Sequence, residues 1–300
     1  MGMIDVIIVC ERLVIPVADF KIGVIIDSFR CGLHEGIKKA RQIGADGLQV
    51  YATQGEMSPE ALNPAARREL LDRITSEGLV VSALCGDLGG HGFMVAEDNA
   101  WRIDKSKRIM ELAHDLGTRV VTTHIGVVPP DKNHPRREVL RQACIELARF
   151  GDDAGAYFAI ETGPETAAVL REFIDSLGAK GVRVNLDPAN LVMVTGDDPV
   201  AAVQTLAPYI VHTHAKDGVR LLEKSPEIIY GLIEEEIKSG KAFLEVPLGQ
   251  GKVNFPTYLR ALDAIGYHGF LTIEREVGDN PEGDIRLAVD FLKQCIRQMN

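Results

Sequence analysis

The 300-residue chain reads as an α/β protein, a single-domain (β/α)8 barrel of the TIM type. Three observations predict this. Short apolar runs alternate strictly with helical stretches, the pattern of a parallel sheet with crossover helices. Eight such units are present, enough for closure into a barrel. Several runs end in a polar, metal-competent residue, and the steps Glu161–Asp187 and Asp187–His214 are 26 and 27 residues, about one strand, helix and return. An open doubly wound sheet would instead need a glycine-rich turn after its first strand, and none follows Phe20–Asp27.

The elements follow in order. Residues 1–19 are an N-terminal extension, and the barrel occupies 20–300. FKIGVIID, Phe20–Asp27, is the first strand. Leu33–Ile43 has helical spacing and stops at Gly44. Gly47–Tyr51 is the second strand. Pro59–Gly78 is a helix, with Pro59 suited to its first turn and Gly78 to its end. Leu79–Cys85 is the third strand, followed by the loop GDLGGHGF. Ala100–Leu116 is a helix ended by Gly117, Arg119–His124 the fourth strand, and Arg136–Gly155 a helix. Tyr157–Glu161 and Val182–Asp187 are strands five and six, with a helix at Glu165–Leu177 between them. Asp198–Leu206 is a helix, Tyr209–Ala215 the seventh strand, Phe270–Glu274 the eighth, and Glu282–Arg297 the closing helix. His214 and Glu274 are 60 residues apart, about twice the other steps. The surplus, Gly218–Gly266, is expected to cover the active-site face as a lid or substrate wall. It holds a helical stretch near Glu227–Lys238, the turn GQGK at Gly249–Lys252 and a helix at Phe255–Ile265.

Strand parity then selects candidate site residues. Alternate side chains on a strand face opposite ways. With Glu161, Asp187 and Glu274 turned inward, Phe158, Ile160, Val184, Leu186, Leu271 and Ile273 face the helices. The outward face of a parallel barrel must be apolar, so the three registers are self-consistent. His212, His214 and Lys216 share one face of the seventh strand; Val120, Thr122 and His124 share the inward face of the fourth. Barrel chemistry sits at the C-terminal strand ends. Three carboxylates meeting there repel unless a cation or protons neutralise them. One divalent metal held by Glu161, Asp187, His214 and Glu274 is the economical answer. The oxygen-rich donor set favours Mn2+, then Mg2+ or Co2+, over Zn2+. For each residue alone a cap or ion pair is the bland alternative, and Asp187 before Pro188 is placed to cap a turn.

The motifs IETG (Ile160–Gly163), NLDPANL (Asn185–Leu191), VHTHAKDG (Val211–Gly218), VPLGQGKVNFP (Val246–Pro256) and GYHGFLTIERE (Gly266–Glu276) resemble the sugar phosphate isomerase/epimerase superfamily, the xylose-isomerase-like barrels. The resemblance implies that Glu161, Asp187, His214 and Glu274 bind the metal and that Glu161 and Glu274 are the acid–base pair. It implies an isomerase or epimerase of a small sugar, sugar phosphate or related polyhydroxy ketone, working through a metal-stabilised enediolate. Asn190 stands where the ketose epimerases carry a substrate-binding His, a departure from their pattern. Arg220 matches their Arg six residues after the metal His. Asn190, His212, Lys216, Arg220 and His124 are the candidate substrate contacts; Asp87 and His91 are weaker ones. The turn Gly249–Lys252 is a weak candidate phosphate cradle, and Glu276 is expected at the rim.

Composition excludes several classes. Net charge is -10, against a partner bound through many phosphates, so no nucleic acid is expected. Hydrophobic residues at 46% and charged residues at 25% fit a soluble globular chain. No run is long enough to cross a bilayer, and MGMIDVIIVCERLV, with an apolar core of only five residues and acidic flanks, lacks the basic region and longer apolar region of a signal peptide. The five cysteines are widely spaced without CxxC, which suits a reducing compartment. A cytoplasmic enzyme, homo-oligomeric as such barrels often are, is the expectation. The rivals are a dehydratase of inosose or dehydroshikimate type, an abasic-site endonuclease, and a sugar sensor.

Overall fold

A computed structural model describes residues 19–235 and 240–299. Apart from Asp19, the expected extension lies outside the described residues. Eight parallel strands close on themselves: β1 (Lys21–Ile25), β2 (Gly47–Tyr51), β3 (Val80–Cys85), β4 (Val120–Thr123), β5 (Tyr157–Glu161), β6 (Val182–Leu186), β7 (Ile210–Ala215) and β10 (Phe270–Ile273). Their order is β1-β10-β7-β6-β5-β4-β3-β2. β8 (Asp217–Arg220) and β9 (Phe243–Val246) form a separate antiparallel pair. The (β/α)8 reading therefore holds.

The outward parity is also as expected. Phe158, Ile160, Val184, Leu186, Leu271 and Ile273 are all buried in the main apolar cluster. Each such side chain taken from water contributes ~1.5–3 kcal/mol. Inside the barrel the order is different. Ala83, Val120 and Ala159, with Tyr157 and Val211, make a small apolar plug at the lower end. Val211 enters it because β7 slips by one residue against β6: Val184 pairs with Ile210 and Asn185 with His212. Above the plug lies a polar layer, Gln49, Thr122, Asn185, His212 and Thr272, each no more than 1% exposed. Barrel interiors usually hold bulky branched residues there; this one holds hydrogen-bonding groups.

Several helix starts share one device. A short polar residue caps and proline follows: Asn63–Pro64 opens α2 (Pro64–Ser76), His134–Pro135 opens α4 (Pro135–Ala154), and Asp198–Pro199 opens α7 (Pro199–Leu206). The cap satisfies free N–H groups, and the proline loses nothing at a position without an intrahelical bond. The expected start of α2 at Pro59 is corrected by this rule: Asn63 accepts from the N–H groups of Ala65 and Ala66, both at 3.0 Å. α3 (Ala96–Asp115) begins a turn earlier than expected. α5 (Ala167–Asp175) begins later, behind the Thr166 cap. The remaining outer helices are α1 (Leu33–Gln42), α9 (Phe255–Ala264) and α10 (Pro281–Arg297).

The excursion after β7 departs most from expectation. The helix expected near Glu227–Lys238 is a single turn, α8 (Pro226–Ile229), and residues 236–239 lie outside the described residues. The excursion instead carries the β8–β9 hairpin, pinned at one point. Asp217, 1% exposed, accepts four backbone N–H bonds: Gly218 at 2.9 Å and Val253 at 3.1 Å on Oδ1, Gly249 at 3.0 Å and Gly251 at 2.9 Å on Oδ2. A Cβ at Gly251 would sit 2.1 Å from Oδ1, so only glycine allows this approach. The turn considered as a phosphate cradle wraps the protein's own carboxylate.

Candidate metal centre and catalytic cavity

Each site residue leaves the upper rim of a different strand. Glu161 ends β5, His214 is the fifth residue of β7, and Glu274 follows β10 with its N–H on the carbonyl of Ala215 at 3.3 Å. Asp187 follows β6 and turns the chain into α6 (Pro188–Asn190) and the wider turn Leu191–Thr195. One ligand atom from each of the four lies within 4.8 Å of the others, and all four residues are buried. His214 Nδ1 is 3.4 Å from Glu161 Oε1, 3.6 Å from Asp187 Oδ2 and 3.4 Å from Glu274 Oε2.

The polar layer below aims these groups. Gln49 donates to Thr122 Oγ1 at 3.0 Å, which turns its carbonyl oxygen toward His212 Nε2 at 3.1 Å and His214 Nε2 at 3.3 Å. Gln49 accepting at Nε2 leaves His214 Nδ1 to face the carboxylates, the usual second partner of a ligating imidazole. Thr272 Oγ1 meets the same His212 Nε2 at 2.9 Å, so His212 supports the centre from beneath. Asn190 Nδ2 donates to Glu161 Oε1 at 3.0 Å and Asn185 Nδ2 to Oε2 at 3.2 Å. Lys216 Nζ donates to Glu274 Oε2 at 2.9 Å and also to Glu276. His124 Nδ1 meets Asp87 Oδ2 at 3.0 Å, with Nε2 3.9 Å from Glu161 Oε1.

These residues fit a divalent cation on electrostatic grounds. Asp187 Oδ1 caps the Asn190 N–H at 2.9 Å, but Oδ2 is buried without a hydrogen-bond partner. A buried carboxylate oxygen left alone is costly. Burial opposes a charge on His214, yet Glu161 and Glu274 raise its pKa well above 6.5. The ring is driven toward cation because three carboxylates demand positive charge. One proton on Nδ1 cannot satisfy three acceptors at 3.4–3.6 Å; a small dication at their centre can. Lys216 is likewise held protonated: burial opposes its charge, and Glu274, Asp187 and Glu276 override burial. Burial also works against the charge of Glu274, but Lys216 and His214 keep its carboxyl well below the ordinary range.

Above the four ligands opens a cavity of about 200 Å³. His124, Asn190, Lys216, Glu161, His214 and Glu274 line it. Tyr51, Cys85, Tyr230, Phe243 and Glu276 also line it and were not singled out as substrate contacts from sequence. Arg220 is not brought there. It lines an adjoining cavity of about 520 Å³ and donates to the Thr195 carbonyl at 3.4 Å. His91 is also elsewhere, bound to Asp98 Oδ2 at 2.7 Å. Tyr230 reaches in from the excursion. Its hydroxyl would lie 3.0 Å from a Cβ at Gly163, where φ is +149°, so the glycine of IETG makes room for it. Gln49 was legible in principle: it is a polar residue at the inward parity of an otherwise apolar strand.

The adjoining cavity holds one buried acid. Glu165 is 5% exposed, its Oε2 accepts from the Val128 N–H at 3.3 Å, and Oε1 has no partner. Burial pushes its pKa up to about 8 from 4.5, against the Val128 bond and the charge of His124. The folded state therefore binds a proton that the unfolded chain has lost. Stability falls as pH rises from about 4.5 through about 8, by ~3–5 kcal/mol in all. Glu165→Gln is expected to flatten that decline and to stabilise the protein at pH 8. Urea unfolding across this range checks it; parallel profiles for the two proteins would contradict it.

The fold and rim centre together define a class, and the chain belongs to the xylose isomerase-like TIM barrel family, whose model matches residues 37–295. It is 31% identical over 190 residues to the rhizopine catabolism protein MocC of Rhizobium meliloti, covering 57% of this chain. The matched region is 56% of that protein, so only about half of that relative's length is spanned. The L-ribulose-5-phosphate 3-epimerase UlaE of Shigella flexneri serotype 5b (strain 8401) is 23% identical over 271 residues, 86% of this chain and 88% of that one. A solved xylose isomerase domain protein from Planctomyces limnophilus superposes with a TM-score of 0.76 at 25% identity, covering 94% of this chain and 98% of that one. No helix among the described residues is long and apolar enough to cross a membrane.

Proposed function

We propose that this chain is a divalent-metal-dependent isomerase or epimerase of a small polyhydroxy ketone or aldehyde. The observation that carries the reading is the pair Glu161 and Glu274. They come from β5 and β10, non-neighbouring strands, and face one cavity with His214 and Asp187 between them. Glu161, Asp187, His214 and Glu274 would hold the metal. When bound, a divalent ion supplies Lewis acidity toward a carbonyl and its neighbouring hydroxyl, and stabilises the negative charge that develops.

The chain's own groups do the proton work. One carboxylate of the pair takes the proton from the carbon beside the carbonyl, giving an enediolate. The other, as a carboxylic acid, returns a proton. Return to the opposite face of the same carbon epimerises; return to the neighbouring carbon isomerises. The two carboxylates are unequal, which suits separate roles. Glu274 is clamped by the Lys216 ammonium, whereas Glu161 is held by the neutral amides of Asn185 and Asn190. Lys216 and His124, which line the cavity, would bind substrate hydroxyls, and Tyr230 and Phe243 would keep water from the carbanionic carbon.

Proton exchange at carbon tests this directly. With Mn2+ in D2O, a panel of ketoses, their phosphates and inososes is followed by NMR. Incorporation of deuterium beside the carbonyl of at least one compound is expected, with product mass otherwise unchanged. Absence of exchange across the panel contradicts the reading, and loss of water from an inosose would assign a dehydratase instead.

A further inference from the structure

We infer that the substrate carries no phosphate: it is an uncharged ketose or keto-cyclitol the size of one sugar ring. The inference rests on the function proposed above and narrows it. It starts from the charge around the reacting centre. Five carboxylates, Asp87, Glu161, Asp187, Glu274 and Glu276, line the cavity or its floor. Only Lys216 and His124 oppose them there among the described residues. With both counted as positive and a divalent ion added, the site still keeps one negative charge. A phosphate dianion brought into this small volume is repelled rather than bound.

Phosphate recognition also needs donors that are free. The usual ones are Arg forks, Lys, helix N-termini and backbone nests. Near the rim most of these, among the described residues, are already engaged. Lys216 is shared between Glu274 and Glu276. Arg275 is paired with Glu245 at 2.6 Å and Asp284 at 2.8 Å. Lys224 is paired with Glu235 at 2.7 Å. Arg30 donates to the carbonyls of Gly278 and Glu276. The nest formed by Gly249 and Gly251 grips Asp217. Arg220 has no carboxylate bonded to it, but its cavity, which Lys224 also lines, holds Glu223 and Glu227 beside the protonated Glu165. The wider groove on the other side, about 1040 Å³, carries Glu234, Glu235, Glu245 and Glu276 against Lys224 and Lys241. That groove therefore holds more carboxylates than cations, and the Arg220 cavity, with Glu165 protonated, holds no excess of cations over carboxylates.

Size points the same way. A cavity of about 200 Å³ lies below the ~300–1,000 Å³ typical of drug-sized ligands. Its roof is made by Ile229, Tyr230 and Phe243, which offer a ring contact or one hydroxyl rather than a charge.

The experiment measures kcat/KM, by deuterium exchange with Mn2+, for matched pairs: L-ribulose and L-ribulose 5-phosphate, D-fructose and D-fructose 6-phosphate, with an inosose alongside. The neutral member is expected to be preferred by at least about a hundredfold, and inorganic phosphate at tens of millimolar concentration is expected not to compete. Glu276→Gln frees the Lys216 ammonium on one side and removes one carboxylate. It is expected to raise the phosphate ester relative to the neutral sugar, a change of ratio that a loss of folding would not produce. Equal or better turnover of the ester, or competition by inorganic phosphate, overturns the inference. Exchange with none of these compounds would instead sink the proton-transfer reading beneath it.

Discussion

Glu161→Gln is expected to lower kcat by roughly 10²–10⁴-fold, the usual share of a general acid or base, with the barrel intact. The glutamine keeps the volume and an oxygen acceptor for Asn190, which now meets Oε1 at 3.0 Å. It removes the negative charge and the ability to take a proton from carbon. Glu274→Gln is expected to cost as much in turnover and more in stability. Lys216, 4% exposed, would keep only Glu276 as a directly bonded carboxylate, and a buried charge losing its partner costs ~3–5 kcal/mol at the upper end. Steady-state kinetics at saturating metal and thermal melts of both variants separate these effects. Near-wild-type turnover in either contradicts the acid–base assignment.

The second large effect concerns the cation. Adding Mn2+ to metal-stripped protein is expected to raise the melting temperature, since a ligand bound only by the folded state stabilises by ~2.7 kcal/mol at a hundred times its Kd. For a protein of this size that is at least several degrees. Asp187→Asn is expected to abolish most of the rise. Asparagine keeps the oxygen that caps the Asn190 N–H at 2.9 Å but replaces the charge at the unpartnered Oδ2. Chelation is expected to remove turnover in parallel. A melting temperature indifferent to Mn2+, Mg2+ and Co2+ would contradict the metal centre.

The barrel was legible because the site-bearing strands β5, β6 and β10 obey one rule: apolar outward, with rim polarity inward. Phe158 and Ile160 flank the parity of Glu161 as Leu271 and Ile273 flank that of Glu274, and this placed four separate residues on one rim. Less local features escaped. The β8–β9 hairpin depends on Asp217 meeting N–H groups more than 30 residues away, a contact no local period encodes. Tyr230 arrives from a segment whose helical pattern ends after one turn. The start of α2 is ambiguous in sequence because Pro59 offers a competing first-turn signal, although Asn63–Pro64 supplies both the cap and the first-turn proline. Arg220 illustrates the limit of motif matching: its spacing from His214 fits, but its guanidinium turns along β8 to the Thr195 carbonyl.

Asp187 shows how a bland and a sharp reading coexist. One oxygen caps the turn, as its place before Pro188 suggests, and the other points into the ring of carboxylates. The same economy appears in Gln49, which links the polar layer to the rim through two histidines.

The most direct measurement is anomalous scattering from crystals grown or soaked with Mn2+. The account predicts one strong peak at coordination distance, ~2.0–2.4 Å, from a carboxylate oxygen of Glu161, Asp187 and Glu274 and from His214 Nδ1. No peak among these four, or an ion bound elsewhere while their side chains point apart, would contradict it.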